Sequence, residues 1–256
     1  EIQKYKDGVL SGYENVDWYG EVMKTWATQH QYNLSVQGGS DIATYFVSLG
    51  YIRDNGLVVN NPLNYEQYTF RMNSGIELSK NLHMDVNISA RIDNNNQLGS
   101  GGFMDIYKGV MTAAPFQKPY INDDERYPAY ISSSATNPSV LVRPDQVGYN
   151  TSESNIIRSS LNLVYDFPFV KGLKFKLFGA YDLNSSDNKV LQRKVSLYKA
   201  DSESGETFEA GTFSNDNIAN TKSDRQRLNF QGTVQYSNEF AEAHNVSAML
   251  LLNPHQ

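Results

Sequence analysis

Residues 82–93 read LHMDVNISARID. Leu82, Met84, Val86, Ile88, Ala90 and Ile92 alternate without a break with His83, Asp85, Asn87, Ser89, Arg91 and Asp93. Successive side chains of a β-strand point to opposite faces, so this stretch is a strand with one apolar and one polar face. At roughly 3.3 Å per residue it reaches about 40 Å. Its neighbours repeat the pattern. In 65–78, Tyr68, Phe70, Met72, Ser74, Ile76 and Leu78 oppose Thr69, Arg71, Asn73, Gly75 and Glu77. In 155–167, Ile157, Leu161, Leu163, Tyr165 and Phe167 oppose Arg158, Ser160, Asn162 and Asp166. Residues 173–183 and 224–237 keep the same period, with Leu228, Phe230, Val234 and Tyr236 facing away from Arg227, Asn229, Gln231 and Gln235; 30–38, 42–53 and 244–252 keep it less cleanly.

These strands are longer than the roughly 5–6 residues common in globular sheets. A strand that crosses a bilayer needs about 9–11 residues and hides its apolar content by alternation. The connections point the same way. Gly38-Gly39-Ser40, Ser79-Lys80-Asn81, Pro168–Gly172 and Asn238–Ala243 are short turns, whereas 54–64, 94–154 and 184–223 are long connections. Short turns at one end and long loops at the other is the plan of an outer-membrane β-barrel, with the long loops outside the cell. Counting one crossing per strand keeps the short turns together only if 190–199, VLQRKVSLYK, does not cross. That stretch is therefore expected to be an arm of the external connection that continues 173–183, leaving about eight crossing strands.

Composition sets the bounds. The 256 residues include 17 Tyr and 12 Phe against a modest 39% hydrophobic total, a mixture that fits half-polar strands and wet loops. No run of 18 apolar residues is present, which excludes a spanning helix and leaves a spanning barrel open. There is no cysteine, so thiol catalysis, Cys-ligated metal and disulfides are excluded. A net charge of -6 without a basic block makes nucleic acid an unexpected partner. Two short helices are expected: 16–28, VDWYGEVMKTWAT, capped by Asp17 with Trp18, Val22 and Trp26 along one face, and 103–114, FMDIYKGVMTAA, ended by Pro115. Residues 1–15 show no clear period.

Candidate chemistry is sparse. Asp123, Asp124 and Glu125 are adjacent, but three neighbours in a loop do not aim at one centre and no EF-type spacing surrounds them. His30, His83, His244 and His255 lack partners at metal-site spacing. No G-x-S-x-G elbow occurs, Ser132-Ser133-Ser134 reads as loop composition, and Gly99…Gly101-Gly102 lacks the Lys-Ser/Thr of a phosphate loop. No cofactor, metal or catalytic residue is expected, and the chain does not read as an enzyme. Tyr51, Tyr65 and Tyr68 are expected to flank the outer membrane edge, and Tyr165, Phe167 and Phe169 the inner one. Arg71, Asn73, Glu77, Asp85, Arg91 and Arg158 are expected to face the lumen.

The stretch 16–58, VDWYGEVMKTWATQHQYNLSVQGGSDIATYFVSLGYIRDNGLV, resembles the start of the barrel in SusC/RagA-type TonB-dependent transporters of Bacteroidetes. The matching parts are Asp17-Trp18, Tyr32–Gly39, Tyr45–Tyr51 and the acidic-Gly turn Asp54-Asn55-Gly56, in family order and spacing. The strand around Arg71-Met72-Asn73 and Lys171–Tyr181 is also similar to this family. The resemblance implies an outer-membrane importer of nutrients, oligosaccharides foremost or peptides, that works with a SusD-like lipoprotein and, through its plug, with the TonB complex. It implies a barrel of about 22 strands, of which 30–256 supply a part and 1–29 a linker and short helix leading in. Signal peptide, N-terminal extension and plug are expected to lie outside this chain. In such transporters external loops contact lid and substrate, which makes Tyr107, Phe116, Tyr120, Asp123, Tyr127 and Tyr130 in loop 94–154 candidates for either. Aromatic faces stack on sugars, and carboxylates bind hydroxyls. A soluble β-rich carbohydrate-binding module and a hydrolytic barrel enzyme are the alternative readings.

The facing is testable. Arg at mid-depth on a lipid face costs about 2–4 kcal/mol, so Val86→Arg should impair assembly of the full-length protein while Asn87→Arg is tolerated. Equal yields of heat-modifiable barrel from the two variants would contradict the assignment.

Overall fold

The computed structural model describes residues 2–7, 14–60, 62–133, 136–201, 203–240 and 244–254. Ser134, His255 and residues 241–243 of the last short turn, all considered above, lie outside the described residues. After α1 (Ile2–Asp7) and α2 (Trp18–Val22) come β1 (Gln29–Gly39), β2 (Ala43–Asn55), β3 (Asn64–Ser79) and β4 (Leu82–Leu98). Then follow α3 (Phe103–Thr112), a 3-10 turn (Ile121–Asp123), α4 (Pro138–Leu141), α5 (Pro144–Val147), β5 (Gly148–Asp166) and β6 (Leu173–Gln192). A hairpin of β7 (Val195–Ala200) and β8 (Thr207–Phe213) precedes β9 (Asn217–Phe240) and β10 (His244–Leu252).

Eight strands form one antiparallel sheet in the order β1-β2-β3-β4-β5-β6-β9-β10, and β7-β8 stands apart as its own two-stranded sheet. Residues 190–192 continue β6, and 195–199 belong to the separate hairpin, so 190–199 adds no strand to the main sheet. Among the described residues no pairing joins β1 to β10, and the sheet is an open arc of barrel wall.

Register turns the alternation of each strand into two continuous faces. One row runs Leu34, Leu49, Phe70, Ala90, Ile157, Leu183. The row below runs Val36, Val47, Met72, Ile88, Ser159, Tyr181, Leu228. The apolar band covers 82–92 on β4, 157–165 on β5 and 228–236 on β9, close to the roughly 9–11 residues a bilayer asks of a tilted strand. Above it, towards the long connections, the same face becomes Asn155, Glu153, Ser185, Asp187, Asp224 and Lys222. There Lys189 and Lys222 pair with Asp187 at 3.6 and 3.3 Å. The strands therefore outlast the band, and the loops expected at 94–154 and 184–223 shrink to 99–147 and 193–216. Polar alternation without an apolar signal disguises these extensions as loop.

The apolar face of the sheet is exposed and forms no protein core. Leu34 and Leu49 are 64% and 52% exposed. The buried apolar residues gather instead in a layer at the long-connection end: Val22, Val58, Leu98, Ile106, Val140, Leu141, Val142, Val147, Val195 and Leu197. Helices this short do not persist alone. Burial of each large aliphatic, about 1.5–3 kcal/mol apiece, holds the layer. Gly109 lets α3 approach α4, since a Cβ there would lie 2.8 Å from the Thr136 carbonyl and 3.0 Å from Pro138 Cβ.

The segment before β1 joins this layer. The helix expected over 16–28 is only α2, because Met23 takes extended backbone and bridges to Val58. The Lys24 N–H donates to the Leu57 carbonyl at 2.7 Å and the Val59 N–H to the Val22 carbonyl at 3.0 Å. The sheet partner gained there replaces the helical bonds that 23–28 forgo. Trp18 is buried beside Ala129 and Ile131, and its indole N–H donates to the Ala114 carbonyl at 3.0 Å. Trp26 faces solvent. The linker thus enters the sheet from the long-connection end, packed against the loops.

Asn137 pins the layer. Fully buried, its amide donates to the carbonyls of Pro119 (2.6 Å) and Ala129 (3.1 Å), and its oxygen accepts from the Ser139 N–H (3.0 Å). Asn137→Ala leaves these groups unpaired at a cost of about 1–3 kcal/mol. Limited proteolysis of the full-length protein should then cut within 113–137 much faster while the strands stay protected; unchanged cutting would contradict this role.

Candidate functional site

The register sets Arg71, Asn73, Glu77, Asp85, Arg91 and Arg158 on one face of the sheet, opposite the apolar band. At the short-turn end His83 lies between two carboxylates: Nδ1 is 2.8 Å from Glu77 Oε1 and Nε2 is 2.8 Å from Asp85 Oδ1. Asn162 donates to the other Asp85 oxygen at 3.1 Å. A depression of about 590 Å³ opens beside this group, lined among others by Gln37, Thr44, Asn73, His83, Asp85 and Asn87. Among the described residues no group of three His, Asp or Glu is arranged to hold a metal ion.

Nearer the long connections Asp93 is almost fully buried and fully engaged. Tyr65 donates its hydroxyl at 2.6 Å, Gln67 its amide at 2.9 Å and Arg91 its Nε at 2.7 Å. Tyr65 was expected in the outer aromatic edge. It lies instead on the polar face, because its odd position in β3 shares the side of Gln67 and Arg71. The outer edge is formed by Tyr32, Tyr51 and Tyr68, with ring centroids 6.2 and 5.0 Å apart in turn. At the other edge Tyr165 and Phe167 meet edge to face at 5.0 Å, and Phe169 is 94% exposed.

The loop aromatics divide in two. Tyr120, Tyr127 and Tyr130 are half-buried and knit the loop to β7. The Tyr130 N–H donates to the Tyr198 carbonyl at 2.8 Å and the Tyr198 N–H to the Pro128 carbonyl at 2.7 Å. Tyr127 meets Tyr198 edge to face at 5.2 Å, and Lys199 Nζ sits 4.6 Å over the Tyr130 ring. Tyr107 and Phe116 stay exposed. With Phe103, Met104 and Met111, Tyr107 forms an apolar stripe on α3 turned away from buried Ile106. Sequence reading passed over this stripe because the methionines read as ordinary helix content. Beside the start of α3 a depression of about 370 Å³ is lined by Asp54, Tyr65, Asn95, Gln97 and Phe103, among others.

The three adjacent acids go three ways. Asp123 pairs with Lys118 (2.9 Å), Asp124 with Arg126 (2.6 Å) and Glu125 with Arg143 (2.7 Å). Asn122 and Asp123, both at positive φ, splay them apart. Arg143 is a hub: besides Glu125 it donates to the Tyr120 hydroxyl at 3.4 Å, and these bonds raise its pKa. Hydrogen bonds from Arg126 hold Asp124 below the ordinary carboxylate range. The N–H groups of Ser204 and Glu203 do the same for Asp201 in the β7–β8 turn, at 2.7 and 2.9 Å.

No family model matches this chain. It is 24% identical over 253 residues to TonB-dependent receptor P3 of Formosa agariphila, covering 96% of this chain and 23% of that receptor. It is 30% identical over 115 residues to TonB-dependent receptor SusC of Bacteroides thetaiotaomicron, covering 44% of this chain and 11% of SusC. The chain thus spans about a quarter or less of the curated relatives it matches. In fold it is similar to the RagAB peptide importer in its closed-closed state, with a TM-score of 0.65, 19% identity, and coverage of 97% of this chain and 29% of that one.

A group whose pKa is depressed on folding adds stability above its ordinary pKa, and that stability is lost as pH falls through the depressed value. Asp124 and Asp201 therefore tighten their turns at neutral pH and release them in acid. Amide exchange at Glu203 and Ser204 should accelerate, beyond the intrinsic change, between pH 7 and pH 3, with β3–β6 unaffected. Equal protection at both values would contradict the assignment.

Proposed function

We propose, from the chain's likeness to TonB-dependent receptors of the SusC/RagA type, that it belongs to them and supplies an arc of barrel wall and part of the external loop layer to an outer-membrane nutrient importer. The observation that carries the reading is the continuous exposed apolar band, bounded by an aromatic edge and backed by a polar face. A soluble binding module would leave that band in water, an arrangement few soluble monomers sustain. The chain contributes position and shape: the polar face lines the lumen, and the loop layer forms one side of the mouth. Tyr107 and Phe116, with the stripe on α3, are exposed aromatic groups of the 99–147 connection free to meet a substrate or a SusD-like lipoprotein. Tyr120, Tyr127, Tyr130 and Asp123 serve by fixing the loop. The energy for release comes through a plug segment engaged by TonB.

Oligosaccharide is the substrate class we favour, because the mouth and wall offer amides, hydroxyls and a few aromatic rings. Peptide is the second reading, favoured by the likeness in fold to a peptide importer. Growth of a strain lacking the full-length gene separates the two. Loss of growth on one or more glycans, restored by the gene, is expected. Unimpaired growth on all glycans with a defect on peptides would reverse the choice, and no defect on either would contradict the import reading.

A further inference from the structure

The chain is acidic overall, yet the polar face gathers arginine. One row of the register runs Ser48, Arg71, Ser89, Arg158, Asp182, Arg227. The next row towards the loops runs Thr69, Arg91, Ile156, Asn184, Arg225. Five guanidinium groups thus share two adjacent rows with Asp182 and, one row higher, Asp93. The carboxylate of Asp93 is already taken by Arg91, Tyr65 and Gln67. Asp182 lies between Arg158 and Arg227 in register but closes an ion pair with neither among the described residues. Arg71, Arg158, Arg225 and Arg227 likewise have no carboxylate within ion-pair distance among the described residues. A depression of about 420 Å³ opens between three of these arginines, lined by Ser48, Thr69, Arg71, Ser89, Arg91 and Arg158 among others. That size is ordinary for a small-ligand site, about 300–1,000 Å³.

We infer that this arginine belt is a binding site for acidic oligosaccharides, whose carboxylate or sulfate groups pair with the guanidinium forks. The inference rests on the import reading, which turns this face to the lumen. Arginine presents a planar fork that fits a carboxylate bidentately, and walls of Arg or Lys select anions in pores. The residues around the belt, Asn73, Asn87, Ser160 and Asn229, are neutral hydrogen-bonding groups suited to hydroxyls, whereas an acidic peptide would also need apolar pockets for its other side chains.

Purified full-length receptor is titrated with tetragalacturonate, a neutral galactose tetramer and pentaglutamate. Tetragalacturonate should bind at least about tenfold more tightly than the neutral tetramer, with an affinity that falls as salt rises. The Arg71→Gln/Arg158→Gln double variant should lose at least about tenfold of that affinity, and Arg71→Lys/Arg158→Lys should recover part of it. Equal affinity for uronate and neutral tetramer, or tighter binding of pentaglutamate, would overturn the inference while leaving import intact. A Gln variant that binds uronate normally but melts at a lower temperature would also overturn it, because the belt would then pair with carboxylates of the protein itself. Failure to bind any oligosaccharide, together with unimpaired growth of the deletion strain, would remove the import reading beneath it.

Discussion

A chain that crosses hydrocarbon must satisfy its backbone N–H and C=O groups within the protein. Here β2 to β6 and β9 meet that constraint by pairing on both sides in one antiparallel ladder, while β1 and β10, at its two ends, pair on one side among the described residues. Everything else in the wall follows from the ladder. Because side chains alternate strictly, a single register sets Val86, Leu161 and Phe230 on one face and Asn87, Ser160 and Asn229 on the other. A slip of one residue would exchange the faces wholesale. Register and membrane facing are thus one property.

The same constraint moves the core. With its apolar face exposed and its other face polar, the sheet has no interior of its own, and the buried aliphatic residues collect in the loop layer above it. Strand ends, two short α4–α5 turns, α3, the β7–β8 hairpin and the segment before β1 meet there. Their mutual packing, with Asn137 satisfying the carbonyls of two loop segments, gives this layer a fixed shape where isolated loops would not hold one. Gly148 shows how closely the layer meets the wall: at φ +84, a Cβ there would fall 1.9 Å from the Leu191 carbonyl.

Period-2 alternation made the strands and their facing legible before any coordinates, because burial and lipid contact act on every second residue alike. It ran out where both faces are polar. The upper parts of β5, β6 and β9 carry Asn, Ser, Asp and Lys on the outward side, so they look like loop although the ladder continues through them. The loop aromatics were visible, but whether each packs or stays free depends on partners distant in sequence: Tyr127 on Tyr198, Tyr130 under Lys199. Tyr65 was misread for a related reason, since its position in the chain suggests an edge and only its parity sends it to Asp93. The arginine belt is likewise invisible strand by strand and emerges only when the register stacks Arg71, Arg158 and Arg227 in one row.

The central claim is that one face of this sheet meets lipid and the other water. The chain has no native cysteine, so substitutions such as Leu161→Cys, Phe230→Cys, Ser160→Cys and Asn229→Cys place unique probes in this region. In the full-length receptor in its outer membrane, a lipid-soluble quencher should reach a label at 161 and 230. A water-soluble maleimide should react at 160 and 229 once the lumen is accessible in urea. Labels at 161 and 160 that respond alike to the lipid-soluble quencher would contradict the two-faced wall on which the whole account rests.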